Sequence, residues 1–405
     1  MEDPSGTDRA ALSMKRLSLF VLLALACLLP LGVRAAATVT DNGPGADLQR
    51  VFDAIEQNDL ELALERTDAL LKVYPNFRLA NLIKGDLLLA RAQPLSTFGN
   101  VRGDPGQIED LREEAIARLR AYHNKPNTDY VPRYLLQMGP EQKYAVVVDT
   151  RRARLYVYRN DHGTPRFVAD FYASHGKAGA DKTREGDMKT PVGVYHVVSE
   201  IDGGKLPALY GDGAFPLNYP NAWDKRLGRT GYGIWLHGVP HDTYSRPPRT
   251  SEGCVVLANQ DLNTLSHYVQ VGLTPVIISN EIEWLSLDDW QNERSALKMA
   301  IESWRKDWES LDVDRYLAHY AHAFKSDTLS QDAWRARKRA VAQHKSWIKV
   351  GVAKMSMLLS PGRDGAVEVT FEQNYRSNNF NEVSRKRQYW IKEDGQWRIA
   401  YEGAG

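Results

Sequence analysis

The hydrophobic period of this chain changes twice, and those changes limit what it can fold into. From about residue 46 to 122 apolar residues recur every three or four positions. Leu48, Val51, Phe52 and Ile55 form one run, broken at Asn58-Asp59; Leu60, Leu62, Ala63, Leu64, Leu70 and Leu71 form a second, ending at Tyr74-Pro75-Asn76. Leu79, Leu82, Ile83 and residues 87–90 form a third, and residues 108–122 a fourth. This spacing puts apolar side chains on one face of successive helices. After turns and a predicted short helix over 126–140, the pattern becomes alternating. Residues 144–149, 154–158 and 166–172 read as strands, with turns at 149–153 and 160–165. A Gly-, Lys- and Asp-containing loop (174–189) leads to a strand at 193–199, and a long irregular stretch follows over 202–232. A strand at 233–237, a helix at 259–271 and a strand at 274–279 complete this region. Helical spacing then returns at 288–311, with Trp290, Leu297, Ile301, Trp304 and Trp308 on one side, and continues over 314–324 and 330–345. Four strand-like runs close the chain, at 348–359, 366–377, 381–392 and 396–401, with hairpin turns at 361–365 and 393–395.

A chain of 405 residues suits two or three domains. The periods predict a multidomain protein: an α-helical N-terminal domain (38–125), a mostly-β domain (141–280) and an α+β C-terminal domain (287–405). A net charge of +1 gives no field suited to nucleic acid. At the start, Met14-Lys15-Arg16 precedes an apolar run over 17–31 and then small residues up to Ala37. This is the pattern of a signal peptide, with cleavage expected after Ala35 or Ala37 and Met14 as the true start. The apolar run is shorter than a bilayer span, so no membrane span is expected after cleavage. The chain is expected to be exported, to the periplasm.

Export bears on the cysteines. The chain has two, and only Cys254 lies outside the N-terminal apolar run. A structural cysteine in an oxidising compartment usually has a partner, and a lone thiol is open to oxidation, so chemistry is the better reason to keep one. A thiol is a weak nucleophile until a base takes its proton, and His237 lies 17 residues upstream. His241 is the nearest rival as base. No set of His, Cys, Asp or Glu has metal-ligand spacing, so no metal or other cofactor is expected.

His237-Gly238 followed by Ser251-Glu252-Gly253-Cys254 resembles the signature of L,D-transpeptidases of the YkuD type, and Thr190-Pro191-Val192-Gly193-Val194-Tyr195 is similar to a further segment of that family. The resemblance implies a mostly-β catalytic domain with Cys254 as nucleophile and His237 as general base and acid. It further implies that the Gly238 carbonyl orients the imidazole and that backbone N–H groups at Gly253 and Cys254 form the oxyanion hole. The implied substrate is the peptidoglycan stem peptide, attacked at the L-centre of diaminopimelate with loss of D-Ala. Ser251, Arg249, Tyr244, Trp235 and Lys189 flank the expected cleft and are candidates for holding it. The helical run resembles a tetratricopeptide-like unit. The order of elements after 287, closing on Asp394-Gly395 and Trp397-Arg398-Ile399-Ala400, resembles the cone of nuclear transport factor two (NTF2). The whole arrangement resembles cell-shape-determining peptidoglycan L,D-carboxypeptidases.

Many transpeptidases of the family read Ser-His-Gly-Cys-x-Arg, whereas this chain has Glu252 before Gly253 and Val256 in place of the Arg. The departure leaves open whether water or an amine resolves the thioacyl enzyme, that is, L,D-carboxypeptidase or L,D-transpeptidase. The alternatives are a hydrolase releasing wall-linked lipoprotein, or a non-catalytic wall-binding scaffold. A homodimer or cell-wall protein partners are expected for the flanking domains.

Overall fold

The computed structural model describes residues 43–405, apart from 96, 101–102, 125–126, 128 and 327. The expected signal region, 1–37, lies outside the described residues. Helices α1 (Pro44–Glu56), α2 (Leu60–Val73), α3 (Arg78–Ala90) and α4 (Pro105–His123) form the N-terminal domain. Their apolar stripes meet in one core that includes Leu48, Val51, Phe52, Leu64, Leu70, Leu79, Ile83 and Leu111. The ends are set locally. The Asp59 carboxylate accepts the Leu62 N–H at 3.0 Å and Asp104 that of Gln107 at 2.8 Å, satisfying N–H groups that the first turn leaves free.

The central region comprises β1 (Tyr130–Pro132), β2 (Tyr144–Asp149), β3 (Arg154–Asp161), β4 (Thr164–Tyr172), β5 (His175–Gly176), β6 (Gly193–His196), β7 (Ile201–Asp202), β8 (Gly213–Pro216), α5 (Ala222–Arg226), β9 (Trp235–His237), β10 (Arg249–Ser251), β11 (Val255–Val256), α6 (Asn259–Ser266), β12 (Pro275–Ser279) and β13 (Trp284–Ser286). One sheet has the order β4-β3-β2-β12-β6 and packs on a second, β11-β9-β8-β7. Strand β2 is buried on both faces, which is why it is a continuous apolar run rather than an alternating one. Val146 and Val148 face the core shared with Leu236 and Val255, while Val147 joins Tyr156 and Ile277 in a core completed by the C-terminal domain. Strands β5 and β10 pair in parallel, and β1 pairs with β13.

The C-terminal region contains α7 (Leu287–Glu309), α8 (Val313–Leu317), β14 (Tyr320–Ser326), α9 (Gln331–Gln343), β15 (Ile348–Leu359), β16 (Val367–Ser377), β17 (Asn381–Glu393) and β18 (Gln396–Ala404). Trp290, Leu297, Ile301 and Trp304 of α7 are buried, as their spacing predicts. The closing hairpin turns on Asp394 and Gly395, both at positive φ.

Four sequence expectations change. The helix expected over 314–324 stops at Leu317, and the chain then extends as β14, pairing in parallel with β18 to make a fifth strand. Tyr316, Tyr320 and Phe324 have helical spacing, yet what brings them together is one aromatic cluster with Trp334. The irregular stretch 202–232 carries β8, an inner strand of the second sheet. The helix from Asn259 ends at Ser266, where i−3 turn bonds from the Tyr268 N–H to the Leu265 carbonyl and from the Val269 N–H to the Ser266 carbonyl take over. The short helix expected before 140 gives way to β1, an extended segment held by β13.

The central and C-terminal regions meet through buried polar contacts. His196 Nε2 lies 2.7 Å from Glu368, which also accepts the Tyr389 hydroxyl at 2.8 Å. Trp223 stacks on Tyr389 with ring centroids 5.0 Å apart.

Candidate active site

Strand β9 ends on His237, and β11 runs parallel beside it with Val255 aligned to Leu236 and Val256 to His237. Continuing that register backward sets Cys254 beside Trp235, two residues along from His237 on the same strand. Residues two apart face the same side, so the thiol and the imidazole share one face of this sheet. Cys254 is partly exposed and His237 is buried.

The ring of His237 is fixed from two sides. Nδ1 lies 2.7 Å from the Gly238 carbonyl, which can only accept, so Nδ1 carries the proton and Nε2 keeps its lone pair. The Tyr210 ring stands edge-on at 4.9 Å and is itself 5.0 Å from Trp235. Burial lowers the His237 pKa to about 4, partly offset by the bond to Gly238. The neutral imidazole is therefore the resting form at pH 7.

The thiol of Cys254 donates to the Gly233 carbonyl at 3.3 Å. Burial pushes its pKa up, against the Trp235 backbone hydrogen bond and the charge of Arg246, which pull it down. Ser251 organises the turn before it: its Oγ donates to the Cys254 carbonyl at 2.6 Å and accepts the Gly253 N–H at 3.1 Å. The Gly253 N–H is thus engaged within the turn, whereas the Cys254 N–H makes no hydrogen bond among the described residues. Gly253 has φ +135°, and a Cβ there would sit 2.8 Å from the Lys189 carbonyl oxygen, so glycine is required. Thr190 ties this turn to the loop before β6, donating to the Gly253 carbonyl at 2.9 Å and accepting the Gly176 N–H at 2.9 Å.

The other flanking residues divide. Trp235 lies in the aromatic row beside His237, and the Lys189 backbone touches Gly253. Tyr244 and Arg249 turn instead toward the helical domain. The Tyr244 ring packs 4.9 Å from Tyr74, and Arg249 pairs with Glu113 at 2.8 Å. His241 is exposed and pairs with Asp212 at 3.2 Å.

Two residues were not visible in the sequence pattern. Asn259, buried at the start of α6, accepts the N–H groups of Val239 (3.1 Å) and Asp212 (3.2 Å) and donates to the Val239 carbonyl (2.8 Å). It fixes the chain just past Gly238. Arg246 is the second: its carbonyl accepts the Tyr172 hydroxyl at 2.7 Å, and its buried Nε has no hydrogen-bond partner among the described residues. No sequence signal separates it from Arg249 three residues on.

Among the described residues no group of His, Cys, Asp and Glu is arranged to hold a metal ion. No helix among them is long and apolar enough to cross a membrane. The C-terminal domain carries a separate, open cavity of about 700 Å³, lined in part by Trp308, Tyr316, Trp334, Lys338 and Tyr375.

Comparison with known proteins bears on both regions. The model of the L,D-transpeptidase catalytic domain (YkuD) matches residues 143–278, and that of the Cds6 C-terminal NTF2-like domain matches residues 296–403. The chain is similar in structure to Bd1075 of Bdellovibrio bacteriovorus, with 30% identity over 68% of this chain and 97% of that one and a TM-score of 0.61. It is also similar to the helical cell shape determining protein Pgp2 of Campylobacter jejuni, with 25% identity over 66% of this chain and 95% of that one and a TM-score of 0.57. No curated protein sequence matches.

Proposed function

The chain belongs to the L,D-transpeptidase (YkuD) family, in the arrangement that carries a C-terminal NTF2-like domain, and on that premise we propose that it is an exported L,D-carboxypeptidase that trims peptidoglycan stem peptides through a Cys254 thioester. The observation that carries this reading is the 2.7 Å contact between His237 Nδ1 and the Gly238 carbonyl. It leaves Nε2 as the basic atom on the face that Cys254 shares.

In this reading His237 Nε2 takes the thiol proton and Sγ attacks the carbonyl on the L-centre of diaminopimelate. The Cys254 N–H, which makes no hydrogen bond among the described residues, donates to the oxyanion. Collapse breaks the peptide bond, and the proton on His237 passes to the departing amine of D-Ala. A water, deprotonated by the same imidazole, then attacks the thioester and frees the shortened peptide and the thiol. Gly238 orients the base, Ser251 and Gly253 hold the turn that presents the thiol, and Trp235 and Lys189 border the substrate.

Water is favoured over an amine acceptor because Val256, where many cross-linking relatives carry Arg, is fully packed in the core and offers no cation at that position. The resemblance to a cell-shape-determining protein supports a role in wall remodelling and shape outside the cytoplasm. The test is to incubate the protein with tetrapeptide-bearing muropeptides and follow products by mass spectrometry. Free D-Ala with tripeptide is expected, and Cys254→Ala should abolish it. A cross-linked dimer would replace hydrolysis by transpeptidation. Turnover that survives the Cys254 substitution would overturn the thioester mechanism.

A further inference from the structure

We propose that the N-terminal helices position the nucleophile: they grip the connection between β9 and β10 and thereby set the turn that presents Cys254. Tyr244 and Ser245 are the positioning residues. This rests on the reading of Cys254 as the nucleophile. Neither family model extends over these helices, so the grip lies outside the region they describe.

Residues 238–248 join the strand that ends on His237 to the strand that leads to Cys254, and they form no helix or strand of their own. Asn259 holds the start of this connection at Val239. Further along, the helices hold it. The Tyr244 ring packs 4.9 Å from Tyr74 and 6.2 Å from Phe77, which is fully buried. Ser245 Oγ accepts the Leu79 N–H at 2.8 Å. That N–H lies in the first turn of α3, whose own cap residue, Phe77, has no side-chain acceptor to offer. The catalytic domain thus lends the helix the cap that its sequence lacks. On α4, Arg118 pairs with the buried Glu114 at 2.9 Å and lays its guanidinium 4.0 Å from the centre of the Tyr172 ring. The Tyr172 hydroxyl in turn donates to the Arg246 carbonyl at 2.7 Å. Arg249 pairs with Glu113 at 2.8 Å, an exposed contact that adds little by itself.

The grip reaches the thiol through the backbone. Residues 174–177, just past Tyr172, are bonded to both arms of the nucleophile turn. Ser174 exchanges two hydrogen bonds with Val256, at 2.8 and 2.9 Å. The His175 N–H donates to the Pro248 carbonyl at 2.7 Å, and the Lys177 N–H to the Ser251 carbonyl at 2.8 Å. Ser251 Oγ then holds the Cys254 carbonyl at 2.6 Å. A shift of the connection or of Tyr172 therefore carries the turn with it. Misplacing a reacting group by about 1 Å can cost on the order of 100-fold in rate.

The test uses the full chain and two measurements: kinetics of D-Ala release from tetrapeptide muropeptides, and amide hydrogen–deuterium exchange. Tyr244→Ala is expected to lower kcat roughly 10-fold with KM within about twofold of the parent's. Exchange should quicken in the peptide spanning 250–257 and stay unchanged in β2 and β3. Ser245→Ala should move both measurements in the same direction, while Tyr244→Phe, which keeps the ring, and Ser245→Thr, which keeps the hydroxyl, should match the parent. Thermal melts establish that each variant is folded; if Tyr244→Ala is not, Ser245→Ala carries the test. Parent-like kcat and exchange in the alanine variants overturn the proposal. So does a raised KM at the parent kcat, which would make these residues substrate contacts. The exchange measurement needs no turnover: if the parent released no D-Ala, the reading of the reaction would fail, and quickened exchange over 250–257 would still establish the grip.

Discussion

His237 donates Nδ1–H to the carbonyl of Gly238, its own neighbour in the chain, at 2.7 Å. A carboxylate in that place would raise the basicity of the ring; a carbonyl fixes the tautomer and leaves the ring easy to keep neutral. With burial lowering its pKa to about 4, the imidazole is a free base across the neutral range. The acid limb of kcat/KM for D-Ala release is therefore expected near pH 4, well below the ordinary histidine value of 6.5. The thiol, raised by burial, puts no limb below pH 7. A profile of D-Ala release against pH that lost half its rate near 6.5 would contradict this.

Asn259 and Gly238 form a second coupled pair. A Cβ on Gly238 would lie 2.2 Å from Asn259 Oδ1, so the amide fills the space that a side chain there would need. Gly238→Ala should displace the amide and the carbonyl that orients His237 together. Asn259→Ala removes three hydrogen bonds and strands two backbone N–H groups and one carbonyl, at a cost of about 2–4 kcal/mol. Both variants should lose turnover, and urea denaturation of Asn259→Ala should show the lower midpoint. Parent-like stability and rate in Asn259→Ala would remove it from the site.

How much of this could be read in advance depended on the range of the interaction. The helices α1 to α4 and strands β2 to β4 follow from local period. The pair Cys254 and His237 stood out because one cysteine lies outside the apolar start and a histidine-glycine lies a loop away. Arg246 and Arg249 look alike in sequence, three residues apart in a proline-containing loop. Arg249 pairs with Glu113, more than 130 residues earlier, while Arg246 makes no ion pair among the described residues, a division that no local pattern gives. Strand β14 was hidden for the opposite reason: Tyr316, Tyr320 and Phe324 keep a helical period because the aromatic cluster gathers them, while the backbone is claimed by the sheet edge.

Trp223 joins the central region to the C-terminal domain. Its ring stacks on Tyr389, and its Nε1–H donates to Asp364. Truncation to Ala leaves a cavity and a stranded carboxylate, at a cost of about 3–5 kcal/mol. The loss falls on the interface rather than on either core, so calorimetry of Trp223→Ala should resolve two transitions where the parent gives one. A single transition shifted as a whole would mean that the shared core around Val147, Trp304 and Phe371 couples the domains without it.

Glu114 makes a prediction of definite sign. It is buried beside Arg118, and burial raises its pKa from 4.5 to about 7 despite that partner. A carboxyl whose folded pKa lies above its unfolded value binds its proton more tightly when folded. Its contribution to stability is full below pH 4.5 and is lost as pH rises to 7. The span corresponds to roughly 3 kcal/mol, since each unit is about 1.4 kcal/mol. Glu114→Gln keeps the shape and an acceptor for Arg118 but removes the titration. The difference in unfolding free energy between Glu114→Gln and the parent should therefore grow in favour of the variant from pH 4.5 to 7 and be constant above. Urea denaturation of both proteins at several pH values measures it. A difference independent of pH, or one that grows toward acid, would mean that the Arg118 pair keeps Glu114 ionised throughout.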